Sequence, residues 1–72
     1  MIKTFVFCQN ASIFHNWMRQ HKLSKSDYIY ISRPDSLRGF RGERFIKYGE
    51  YQLHPFAEEI EMMLTERGFK QE

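Results

Sequence analysis

The run Lys3-Thr4-Phe5-Val6-Phe7-Cys8 is apolar from Phe5 to Cys8 and rich in β-favouring residues. A strand of this kind has no polar face to give to water. It suits only a sheet covered on both sides. Gln9 and Asn10 come directly behind it, and Asn10 is a favoured N-cap because its side-chain oxygen accepts from a free helical N–H. Ile13, Phe14, Trp17 and Met18 then recur at spacings of one, three and four, and His21 continues the stripe. His15, Asn16, Arg19 and Gln20 fall on the opposite side. The spacing predicts a helix over about residues 11–21. After a polar connector, in which Leu23 can turn inward, comes a second β-prone run, Tyr28-Ile29-Tyr30-Ile31. Strand, helix and strand make a βαβ unit, whose strands are expected to be parallel and joined by a right-handed crossover.

The rest of the chain extends this unit. Pro34 cannot continue a central strand. Ser32-Arg33-Pro34-Asp35 has the spacing of a cap before a short helical turn over Pro34 to Leu37. Gly39-Phe40-Arg41-Gly42 is expected to be the most flexible stretch. A third strand is expected over Arg44-Phe45-Ile46-Lys47-Tyr48, followed by a loop over 49–53. His54, read as a cap, and Pro55 open a second helix, with Glu58 and Glu59 in its first turn, where the dipole favours anions. Phe56, Ile60, Met63 and Leu64 are read as its inward stripe. Arg67-Gly68 marks its end, with Phe69 folding back and Lys70-Gln71-Glu72 frayed.

The expectation is therefore an α/β domain over residues 1–72, ordered β-α-β-β-α, with a three-stranded parallel sheet and two helices. The segment between the second and third strands is long enough for a crossover, which favours a parallel third strand over an antiparallel one. Strand order 2-1-3 is preferred, with 2-3-1 next. Seventy-two residues bury only about 60% of the unfolded surface. The seven Phe, four Tyr and Trp17 are expected to dominate so thin a core, because large rings bury the most area per side chain. Two exposed sheet edges would be a liability, and pairing of edges would make a dimer.

Composition narrows the function. A single cysteine, Cys8, excludes an intramolecular disulfide and fits a reducing compartment. No apolar run approaches the ~20 residues that span a bilayer, and no signal-peptide pattern opens the chain. A cytoplasmic location is the expectation. The net charge of +2 permits an acidic partner or nucleic acid without requiring either.

In a parallel sheet, ligands bind where the loops after the strand ends meet. That edge would gather Asn10 after strand 1, Arg33 after strand 2, and Glu50 and Tyr51 after strand 3, with Arg38 and Arg41 hanging over it. These residues, with Phe40, are the candidate binding residues. Cys8 reads as a small core hydrophobe rather than a nucleophile. The histidines lack the spacing of zinc ligands. Neither a metal nor a cofactor is expected. Arg33, Arg38, Arg41, Arg44 and Lys47, interleaved with Phe40, Phe45 and Tyr48, form a basic aromatic segment of the kind that can hold phosphates and stack bases.

The segment from Ser32 through Leu37-Arg38-Gly39 to Gly42, the strand Phe45-Ile46-Lys47-Tyr48 and then Gly49-Glu50 resembles part of the P-loop NTPases among helicases and phage terminases. In those proteins a Leu-Arg-Gly turn, a spacer and an apolar strand lead to an Asp-Glu pair that positions magnesium and water. Residues 28–67 also resemble small phage-encoded proteins that close with this turn, a strand and a helix. Gly49 stands where the magnesium-binding Asp would be, and Gln9-Asn10-Ala11-Ser12 has neither the glycines nor the lysine of a phosphate loop. The resemblance thus implies a scaffold without its Mg-ATP site, in the host cytoplasm if phage-encoded. Three functions follow in order of expectation. The first is a non-enzymatic adaptor or modulator acting through protein–protein contacts. The second is a nucleic-acid-binding accessory protein using Arg33–Lys47. The third is an enzyme with Glu50 as acid or base and Arg38 as anion binder.

Overall fold

The computed structural model describes residues 4–24 and 26–72. Strand β1 (Thr4–Phe7) leads to helix α1 (Ala11–Gln20), strand β2 (Tyr28–Tyr30), a 3₁₀ turn (Pro34–Leu37) and strand β3 (Arg44–Lys47). A second 3₁₀ turn (Tyr51–Leu53), helix α2 (Ala57–Glu66) and strand β4 (Lys70–Gln71) complete the chain. The sheet is ordered β2-β1-β3-β4, and every neighbouring pair is parallel. Lys3, expected to open the first strand, lies outside the described residues.

Among the described residues, four strands, not three, make this sheet. The chain end expected to fray is instead β4. The Lys70 N–H donates to the Glu43 carbonyl at 2.9 Å, and the Glu72 N–H donates to Phe45 at 2.9 Å. The cause is the end of α2. Gly68 takes a positive φ of 69°, its N–H donates to Thr65, and the Phe69 N–H donates to Leu64. These two bonds reverse the chain in a Schellman turn. The reversal lays residues 70 and 71 along the open edge of β3. The expected 2-1-3 order and the parallel third strand are both present within the larger sheet.

Side-chain alternation divides the core. Val6, Cys8, Tyr28, Tyr30, Ile46 and Tyr48 pack with Phe14, Trp17 and Met18 of α1. Phe5, Phe7, Ile29, Ile31 and Phe45 pack with Ile60 and Leu64 of α2, with Leu37 and with Phe69. Right-handed crossovers require this division. The chain moves outward from β1 to β2 and back past β1 to β3, so the two connections must cover opposite faces. Asn10 caps α1 as expected, its Oδ1 accepting from the Ile13 N–H at 3.0 Å. Among the described residues, no helix is long and apolar enough to cross a membrane.

Helix α2 begins at Ala57, two residues later than Pro55. Phe56 therefore precedes the helix and is 39% exposed, whereas Ile60 and Leu64 keep the inward face. The side chain of His54 accounts for the delay by taking the Phe56 N–H on its Nδ1 at 3.0 Å.

Candidate functional site

All four strands run the same way, so β1, β2 and β3 deliver their following loops to one edge. Asn10 stands there in extended conformation (φ −159°, ψ 175°), with its side chain committed to the α1 cap. Arg33 is also extended (φ −147°, ψ 160°) and exposed, and its carbonyl accepts from Ser36 at 3.0 Å. Gly49 turns the chain after β3 at a φ of 62°, a conformation that an aspartate would adopt only at a cost. Glu50 follows it and is exposed. Tyr51 is half-buried, its ring 5.2 Å from that of Phe7. The Lys47 ammonium sits 4.9 Å from the Tyr51 ring centroid and 3.1 Å from Glu61 Oε1.

The remaining candidates lie elsewhere. Arg38 leaves the first 3₁₀ turn and pairs with Asp35 at 3.4 Å, both side chains solvated. Solvated pairs of this kind contribute little. Phe40 packs edge-on against Phe5 at 5.0 Å. Its carbonyl accepts from Arg67 Nη1 at 3.4 Å, and the Gly42 N–H donates to the Arg67 carbonyl at 3.0 Å. Phe40 and Arg41 thus sit by the C-terminal end of α2, where β3 begins. That is the edge opposite Asn10, Arg33, Glu50 and Tyr51. The structure brings those four to one edge and holds Phe40 and Arg41 at the other. The basic segment is divided in the same way. Arg38, Arg44 and Lys47 pair with Asp35, Glu72 and Glu61.

His54 joins this edge together. It is 4% exposed, and its Nε2 lies 2.8 Å from the carbonyl oxygen of Ile31. A carbonyl only accepts, so Nε2 carries the proton, and Nδ1 is left to accept from Phe56. One imidazole therefore ties the end of β2 to the start of α2. Beside it, Leu53 is 61% exposed and Phe56 39%. Phe56 lines a shallow groove of about 290 Å³ with Gln52, His54 and Pro55, closed by Glu58 and Glu59; Leu53 stands on the other side of His54 in the chain. Residue spacing alone hides this feature, since it sets Leu53 in a loop and Phe56 on the inward stripe.

Cys8 is fully buried. Its thiol donates to the Asn10 carbonyl at 3.4 Å, and burial pushes its pKa up to about 11. Burial likewise raises that of the neighbouring Tyr30 phenol, with the Cys8 charge adding to the effect. Native Cys8 is expected to react with a disulfide reagent near pH 8 at least ~100-fold more slowly than in the denatured chain, because so little thiolate forms. Stopped-flow thiol titration with and without denaturant measures this. Similar rates would contradict the burial. Among the described residues, no three His, Cys, Asp or Glu side chains cluster as a metal-holding group.

No protein-family model matches the chain, and no curated protein or solved structure matches it.

Proposed function

We propose that the chain is a small non-enzymatic adaptor that binds a partner protein at the edge where β1, β2 and β3 end. The observation that carries this reading is the exposed pair Leu53 and Phe56 on the rigid His54 anchor. Apolar surface left open to water and rimmed by polar side chains is what interaction sites present. Glu58 and Glu59 line the groove beside Phe56, so the partner surface it suits is apolar with basic neighbours. Three side chains that chemistry could recruit are engaged in holding the fold. Cys8 stays protonated, Asn10 caps α1, and both nitrogens of His54 are hydrogen-bonded. On the resemblance carried by residues 28–67, we read the adaptor further as phage-encoded and acting in the host cytoplasm.

The test is comparative capture from cell extract with the wild-type chain and with a Leu53→Asp, Phe56→Asp double variant of unchanged circular dichroism. The expected result is a protein retained in stoichiometric amount by the wild type and lost by the variant. Identical capture profiles would refute this use of the edge. Binding of labelled single-stranded DNA or RNA that weakens steeply with salt and falls on Arg41→Ala would support the nucleic-acid reading instead.

A further inference from the structure

The outer side of β2 presents backbone groups that no neighbouring strand takes up among the described residues. The Thr4 N–H donates to the Asp27 carbonyl at 3.0 Å, and the Ile31 N–H donates to the Val6 carbonyl at 3.1 Å. In a parallel ladder with Thr4 opposite Tyr28 and Val6 opposite Tyr30, these bonds turn the backbone groups of Ile29 toward β1. The N–H and C=O of both Tyr28 and Tyr30 then point away from the sheet. No strand lies beyond β2 among the described residues.

The two sheet edges differ in how they meet this problem. On the far side, β4 is two residues long. Lys70 and Glu72 turn inward to β3, which leaves only Gln71 with outward backbone groups. Charged side chains also stand there, with Glu72 3.6 Å from Arg44. Short strands and charges are how edges are kept from pairing. The run Tyr28-Ile29-Tyr30-Ile31 has neither a charge nor a proline. Its charges lie at its two ends and have opposite signs. Asp27 is at one end and Arg33, still extended, at the other, and both are exposed.

We infer that β2 pairs antiparallel with β2 of a second copy about a two-fold axis at Ile29, making one continuous sheet across a homodimer. In this register Tyr28 of each copy faces Tyr30 of the other, and each such pair exchanges both backbone hydrogen bonds. The antiparallel sense sets each Asp27 diagonally next to the second copy's Arg33, within reach of a long side chain. Parallel pairing would set like charges side by side. The two-fold pair satisfies all the outward groups of β2 at once, and it closes on itself, leaving no further edge of this kind to extend. A strand of three residues offers a small contact, so the dimer is a weak one.

Sedimentation velocity from about 10 µM to about 1 mM tests the inference. The mass is expected to rise from 8.8 kDa toward twice that value. Asp27→Arg and Arg33→Asp are each expected to weaken association about tenfold, and the double exchange to restore it. Both positions are exposed, so folding is not at stake. Hydrogen exchange supplies the second readout. The amides of Tyr28 and Tyr30 are expected to gain protection with concentration, while that of Ile29 is protected throughout. A chain that stays monomeric over this range, or a dimer indifferent to the charge exchange and to the Tyr28 and Tyr30 amides, would overturn the inference.

Discussion

Replacing His54 by alanine is expected to lower the stability of the fold by about 3 kcal/mol, more than most single substitutions remove. Two losses add. The Ile31 carbonyl, on a residue with no exposed surface, is left without its donor, at a cost of roughly 1–3 kcal/mol. The imidazole also leaves a void among Phe7, Tyr30 and Phe56, whose rings lie about 6 Å from it, and buried voids cost more as they grow. A chain of 72 residues has a total stability of only about 4–10 kcal/mol. Two isosteres separate the contributions. His54→Gln keeps a donor where Nε2 stands and so retains the link to Ile31. His54→Asn keeps an acceptor where Nδ1 stands and retains the link to Phe56. Gln is expected to recover more stability than Asn, because the Ile31 carbonyl is shut away from water while Phe56 is partly solvated. Denaturant midpoints at constant slope measure the difference. An Asn variant as stable as the wild type would show that the Ile31 bond contributes nothing.

The same residue explains where the sequence was legible and where it was not. The central strand, the first helix and the parallel sense of β1, β2 and β3 were readable because burial on both faces writes itself into side chains. Phe5 and Phe7 serve one layer, Val6 and Cys8 the other. The start of α2 was not readable to within two residues, because it depends on a ring nitrogen reaching a backbone N–H. A start at Pro55 puts Phe56 on the core stripe, whereas a start at Ala57 leaves it exposed like Leu53. Strand β4 was hidden for a related reason. Lys70 and Gln71 carry no apolar signal, and their place in the sheet comes from backbone bonds after a glycine turn. The candidate site was half legible. Strand ends predict which loops share an edge, and Asn10, Arg33, Glu50 and Tyr51 share one. Nothing in the order of residues says where the β2–β3 connection crosses back, so the expectation that Arg41 hangs over that edge fails, and Phe40 lies with it at the opposite end of the sheet.

Phe69 offers the sharpest test of that hidden strand. Its ring is 9% exposed and meets Phe5 edge-on at 5.5 Å, while Phe40 meets Phe5 at 5.0 Å and is 37% exposed. Geometry toward Phe5 is alike in the two cases, so burial decides which ring matters more. Phe69→Ala is expected to cost about 3 kcal/mol, near the lower end for a buried phenylalanine. Phe40→Ala is expected to cost about 1 kcal/mol, since much of its surface is already wet. The larger loss has a local signature. The Phe69 ring pins the turn that delivers β4, so its removal frees the amides of Lys70 and Glu72, which donate to Glu43 and Phe45. Their hydrogen exchange is expected to accelerate far beyond what the fall in global stability explains, with the amides of β1 following the global change alone. Phe40→Ala leaves the turn intact and is expected to accelerate neither. If both variants cost the same, or if Lys70 and Glu72 exchange freely in the wild type, then β4 is not held by Phe69 and the fourth strand adds nothing to the sheet.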